Sequence, residues 1–183
     1  ILIPDGNDYV TFYEFFAPEA AAEENIQYRN LSDWITFTPG SATDYEYIEE
    51  RLRQLASTRE IVEISFDPWQ AQYLMQRMLA EGMPVMEFPH QVRTMSDPMK
   101  EVEALVLDGR LWHNNPVMDW MMSNVVTKAD AKENIYPTKA QKNDDKSKID
   151  GVVALIMAMG RYLAAEDAGD FDEFLANPIG NRA

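Results

Sequence analysis

Apolar residues recur along this 183-residue chain with two different periods, and the switches between them mark out its elements. Apolar Ile1 to Ile3, the turn-forming Pro4-Asp5-Gly6-Asn7 and a run from Tyr9 to Phe16 alternating aromatic and β-branched residues predict an opening hairpin. Ala17 to Leu31, rich in Glu and Ala, predicts a short helix, and Trp34 to Phe37 a short strand stopped by Thr38-Pro39-Gly40. Thr43 or Asp44 then caps a helix with apolar residues at Tyr45, Ile48, Leu52 and Leu55, the spacing of one buried face. Ile61 to Phe66 reads as a buried strand ending at Asp67-Pro68; a helix follows from Trp69 to Ala80, ended by Gly82, and then a strand from Val85 to Phe88.

In the second half, Asp97-Pro98 predicts a helix start running to about Leu107, and Asn115-Pro116 another running through Met122. Val125 to Lys128 and Asn134 to Tyr136 predict a second hairpin, followed by a lysine-rich loop. Ile149 to about Ala165 is a helix too apolar on all sides to be exposed, and the acidic stretch from Glu166 onward reads as a loose tail. Strands alternating with helices predict a mixed α/β sheet with helices on both faces, in one domain over residues 1–165 with a tail over 166–183. A chain that opens inside an apolar strand is expected to continue upstream.

Composition narrows the chemistry. With no cysteine and only His90 and His113 as imidazoles, a metal must be held by carboxylates, which favours magnesium or manganese over zinc. There is no GxxxxGK[ST] phosphate loop, no apolar run of about eighteen residues and no signal-peptide order, so the expectation is a soluble cytoplasmic protein. The net charge of −15 argues against coating nucleic acid with the whole surface. Six lysines, Lys128, Lys132, Lys139, Lys142, Lys146 and Lys148, nevertheless make the stretch from 128 to 148 net +2 while the remainder is −17. That stretch suits a phosphate backbone, and it equally suits a solvated loop.

Two acids stand out. Asp67 follows the strand ending at Phe66, where open α/β sheets bind ligands, and the same position fits a cap for the helix beginning at Pro68. Asp150 lies in the first turn of the last helix, where an acid either caps the helix or, if buried, requires a cation or a partner. His113, in GRLWHNNPV, reads as fixing a turn rather than as a general base. Trp69, Trp112, Trp120 and Met118, Met121 and Met122 read as core.

The succession SFDPWQAQYLMQRMLAEGMPVMEFPHQ, EALVLDGRLWHNNPVMDWMMSNVV and KSKIDGVVALIMAMGR resembles the nuclease half of tailed-bacteriophage terminase large subunits, in order and spacing from about Tyr9 to Arg161. The resemblance implies an RNase H-like α/β fold with a mixed central sheet, helices on both faces and an auxiliary β-hairpin. It also implies a DNA endonuclease using Mg2+ or Mn2+ at a two-metal site to cut concatemeric double-stranded viral DNA during packaging. Of three family acids, the second falls on Asp67 and the third on Asp150. The first has no counterpart and is expected upstream of Ile1, so that this chain alone is expected to cut weakly or not at all. Lys148, two residues before Asp150, is placed to offer charge to the scissile phosphate and equally fits a solvated lysine. The implied partners are double-stranded DNA, an N-terminal ATPase domain, the portal protein and the small terminase subunit, with no membrane, in the host cell cytoplasm. Two other functions stay open: a non-catalytic domain that docks on the portal or guides DNA, and a junction-resolving nuclease.

Overall fold

The computed structural model describes residues 1–140 and 146–167; Lys142 and most of the stretch from 166 to 183 lie outside the described residues. The chain divides into two compact units, one of Ile1–Asp44 with Val92–Gly160, the other of Tyr45–Gln91 with Arg161–Ala183.

In the first unit, β1 (Leu2–Asp5) and β2 (Asp8–Thr11) form the expected antiparallel hairpin, with Gly6 at φ +62° in the turn, a conformation glycine adopts without a Cβ clash. The alternating run does not stay one strand to Phe16. Strand β2 ends at Thr11, and β3 (Phe15–Pro18) pairs in parallel with β4 (Ile35–Thr38) in a separate sheet. The break falls where distant residues take over the backbone: the side-chain amide of Asn115 donates to the Tyr13 carbonyl, and the Thr11 hydroxyl to the Trp112 carbonyl. The Glu- and Ala-rich stretch forms two helices, α1 (Glu19–Glu24) and α2 (Ile26–Asn30), because Asn25 between them is extended and accepts from the Gln27 N–H to cap the second.

The second unit holds α3 (Tyr45–Thr58), β5 (Ile64–Phe66), α4 (Pro68–Ala80) and β6 (Val85–Glu87). Strands β5 and β6 run parallel, joined through α4, with Ile64 opposite Val85 and Phe66 opposite Glu87. Phe66, Leu74, Met78 and Val85 form the buried core, and Ile48 and Leu52 of α3 pack on it, two of the four positions expected on that helix face. Tyr45 is exposed instead. At the edge of this core the Glu49 carboxylate, 1% exposed, lies 2.7 Å from Arg77 and 3.2 Å from Arg53. Glu63 takes a bidentate pair from Arg161 at 2.6 and 3.0 Å.

Back in the first unit, α5 (Val92–Leu107) starts five residues before the Asp97-Pro98 that predicted its beginning. Pro98 is inside the helix and removes one backbone bond, a cost offset by the buried face of Met95, Met99, Val102 and Leu105 that the longer helix creates. Then come β7 (Leu111–Trp112), parallel to β2, and α6 (Pro116–Ser123), capped as expected by the Asn115 side-chain Oδ1, which accepts from the Val117 N–H. The second hairpin is β8 (Val125–Ala129) with β9 (Ile135–Lys139), and the Ile135 N–H donates to Ser96 Oγ on α5. The last helix, α7 (Asp150–Asp167), buries Val152, Leu155, Ile156 and Met159, as its apolar sequence requires.

Among the described residues there are seven α-helices and four small sheets with both parallel and antiparallel pairs, a mixed α/β fold of the class expected. No helix of the described residues is long and apolar enough to cross a membrane.

Candidate active site

Asp67 leaves the C-terminal end of β5 and performs the capping role its sequence suggests: its Oδ1 accepts from the Trp69 N–H at 3.0 Å, and its carbonyl from the Ala71 N–H at 3.2 Å. One carboxylate oxygen is thus fixed by the helix it starts. The other, Oδ2, lies 3.5 Å from His90 Nδ1, with both side chains about one-third exposed. Capping leaves lone pairs for a ligand, because the cap takes up only one of them on one oxygen.

His90 is the neighbour of Asp67 that sequence reading missed. Phe88 follows β6, and its N–H donates to the Phe66 carbonyl at 2.9 Å, which extends the parallel ladder to the residue before Asp67. Two residues further on, His90 therefore stands beside the acid. The signal was in the sequence as FPHQ after a strand, but it acquires meaning only once β5 and β6 are known to be neighbours.

Asp150 lies in the first unit at the first residue of α7, and it is exposed. Asp150 is therefore not a buried carboxylate that requires a cation or a partner, and its position in a first turn still suits a negative charge. Its surroundings are tightly built. The Asn25 and Asn124 side-chain amides donate to the carbonyls of Lys146 and Lys148, each at 2.9 Å, holding the segment that enters the helix. Gly151 lets that helix approach its neighbours: a Cβ there would meet Phe15 Cε1 at 2.9 Å and Met118 Sδ at 3.1 Å. The Tyr28 phenol is pushed up to about 12, first by burial and then by the negative charge of Asp150.

The lysines do not form one stripe. Lys128 on β8 faces Tyr136 and Lys139 on β9 faces Val125, so the two project from opposite faces of the ribbon. Lys132 lies in the turn, where its N–H donates to Asp130 Oδ1. Lys146 is exposed and Lys148 half-buried, both in the segment held by the two asparagines.

Two aromatic expectations fail: Trp69 is 91% exposed and Trp112 is 57% exposed, whereas Met118 and Met121 are buried as expected. Trp69 occupies the second position of α4, where its N–H reaches back to Asp67 while the indole stays outside the core. His113 fixes a turn, as read, with Nδ1 accepting from the Asn115 N–H at 3.3 Å.

Among the described residues no group of three or more His, Asp or Glu gathers. What Asp67 and Asp150 offer is accessible carboxylate oxygen, a donor type that suits hard cations such as magnesium and manganese.

The sequence matches the family model of the terminase large subunit, endonuclease domain, over residues 13–166. It is similar to protein YmfN of Escherichia coli (strain K12), with 38% identity over 133 residues, 72% of this chain and 29% of that protein. It is also similar to the terminase large subunit of Enterobacteria phage HK97, with 29% identity over 147 residues, 78% of this chain and 29% of that protein. The chain thus spans 29% of the length of each of these curated relatives. The crystal structure of the HK97 bacteriophage large terminase superposes with a TM-score of 0.72 at 25% identity, over 86% of this chain and 34% of that one. That superposition matches the mixed α/β fold to the terminase nuclease, RNase H-like in class as expected. By its sequence and its fold, this chain belongs to the terminase large subunit endonuclease-domain family.

Proposed function

We propose that this chain is the DNA-cutting part of a phage packaging terminase, hydrolysing phosphodiester bonds of concatemeric double-stranded viral DNA. Asp67 and Asp150 supply the carboxylates that hold Mg2+ or Mn2+. The observation that carries this reading is Asp67: an acid at the carboxyl end of a parallel strand, fixed at one oxygen by its own helix and accessible to solvent. Family membership supports the reaction class.

When bound, such cations supply a water acidic enough to attack at neutral pH and stabilise charge on the leaving oxygen. The protein's own contribution is placement. The cap bond from Trp69 holds the Asp67 carboxylate, the asparagine bonds at Lys146 and Lys148 hold the entry to α7, and Lys148 carries positive charge two residues from Asp150. Lys128, Lys132, Lys139, Lys142 and Lys146 contribute positive charge for the phosphate backbone. The wider partners follow from this reading: an ATPase domain in the same polypeptide, the portal protein and the small terminase subunit, in the host cell cytoplasm.

The test is nicking of supercoiled plasmid with manganese by the intact protein and by its Asp67→Asn and Asp150→Asn variants. Loss of nicking in both, with unchanged circular dichroism, is the expected result. Nicking that survives both substitutions would favour a docking domain whose cleavage resides elsewhere.

A further inference from the structure

The Asp67 carboxylate has its two oxygens engaged from two directions, and only one engagement belongs to helix capping. Oδ1 receives the Trp69 N–H at 3.0 Å. Oδ2 faces His90 Nδ1 at 3.5 Å, at the outer edge of hydrogen-bonding distance, where unliganded active-site contacts often lie before they tighten. The imidazole is itself supported. Its ring meets Phe88 edge-on, with centroids 6.4 Å apart and planes at 71°, and Phe88 is 5% exposed and bonded through its N–H to the Phe66 carbonyl. His90 thus stands on a rigid extension of β6 that is tied to the residue immediately before Asp67.

A carboxylate held at one oxygen only can swing about its Cβ–Cγ bond, and each orientation presents different lone pairs. A donor at the second oxygen fixes the plane. We propose that His90 is a positioning residue for Asp67, its Nδ1–H fixing the orientation in which the carboxylate receives a divalent cation. The inference rests on the nuclease reading above and adds the group that presets its acid. Outer partners of this kind change metal affinity by about 10- to 100-fold when removed, because the ligand must then be ordered at the expense of binding.

The experiment uses the intact protein and Mn2+ alone, with free manganese measured by electron paramagnetic resonance, so that the readout is binding rather than turnover. His90→Ala is expected to weaken Mn2+ binding by about 10-fold or more. His90→Asn, whose amide nitrogen occupies nearly the position of Nδ1, is expected to bind within about 3-fold of the parent, a rescue that a packing role would not give. His90→Leu, which keeps bulk without a donor, is expected to behave like His90→Ala. Unchanged binding in His90→Ala, or equal loss in the Asn and Leu variants, would overturn the proposal. Asp67→Asn run alongside separates the two levels: if it binds Mn2+ as the parent does, the metal reading of Asp67 fails, whereas loss there with normal His90→Ala removes His90 alone.

Discussion

Gly151→Ala sets two opposite effects against each other at the residue following Asp150. Alanine in a helix interior is favoured over glycine by about 1 kcal/mol, so an open position would gain stability. Here the added Cβ would lie 2.9 and 3.0 Å from the Phe15 ring edge and 3.1 Å from Met118 Sδ, and Met118 is fully buried. Carbon does not approach carbon that closely, so either the ring and the thioether shift or the helix start does. Overpacking of this sort costs about 1 to 3 kcal/mol, and two of the three contacts fall at or under 3.0 Å, which places the cost in the upper half of that range. The net expectation is destabilisation by about 1 to 2 kcal/mol, measured by urea unfolding. Phe15→Leu removes the outer ring atoms, so in that background Gly151→Ala is expected to be neutral or stabilising, a coupling of about 1 kcal/mol or more in a double-mutant cycle. A single variant more stable than the parent, or additive behaviour of the pair, would refute the claim that Gly151 is required by close packing.

Three further outcomes follow from the same geometry. Arg77→Ala leaves the buried Glu49 carboxylate with Arg53 as its remaining arginine; because Arg77 is 38% exposed, the expected loss is about 2 kcal/mol rather than the 3 to 5 of a fully buried pair, and adding Glu49→Ala should restore part of it in denaturant titrations. Tyr28 should ionise near 12 in ultraviolet titration, identified by difference from Tyr28→Phe, and Asp150→Asn should lower that value while leaving the larger part of the shift, which comes from burial. Since the folded-state value is raised above the ordinary 10, the contribution of Tyr28 to stability is complete below pH 10 and is lost between about pH 10 and 12. Trp69→Ala should change unfolding free energy by less than about 0.5 kcal/mol, because the indole is 91% exposed; a core tryptophan would cost several times more.

Much of the fold could be read from residues whose effect is local. Asp67-Pro68 and Asn115-Pro116 start helices because a side-chain acceptor and a ring without N–H satisfy the first turn, and both helices begin there. The closing helix is legible because so many apolar residues tolerate only burial. Local pattern and structure part company where distant partners decide. Asp97-Pro98 carried the same local signal as the true starts, but the buried Met95 and Ser96 pull five earlier residues into α5. The strand from Tyr9 breaks at Thr11 because Asn115, about a hundred residues away, takes the Tyr13 carbonyl. Trp69 reads as core by residue type, whereas its place at the start of α4 leaves it outside.

The site shows the same division. Asp67 and Asp150 stand out from their positions at a strand end and a helix start, both of which the structure reproduces. The exposure of Asp150 did not follow from its apolar helix, because a first-turn residue can project from a helix that is otherwise buried. His90 was hidden for a different reason: it is twenty-three residues from Asp67 in sequence, and only the parallel pairing of β5 with β6 brings it alongside.

The most direct test of the central claim is an anomalous diffraction map of manganese-soaked crystals of the intact protein. Manganese peaks are expected about 2.0 to 2.3 Å from carboxylate oxygens of both Asp67 and Asp150. Manganese bound at other residues, with both of these carboxylates left without an ion, would contradict it.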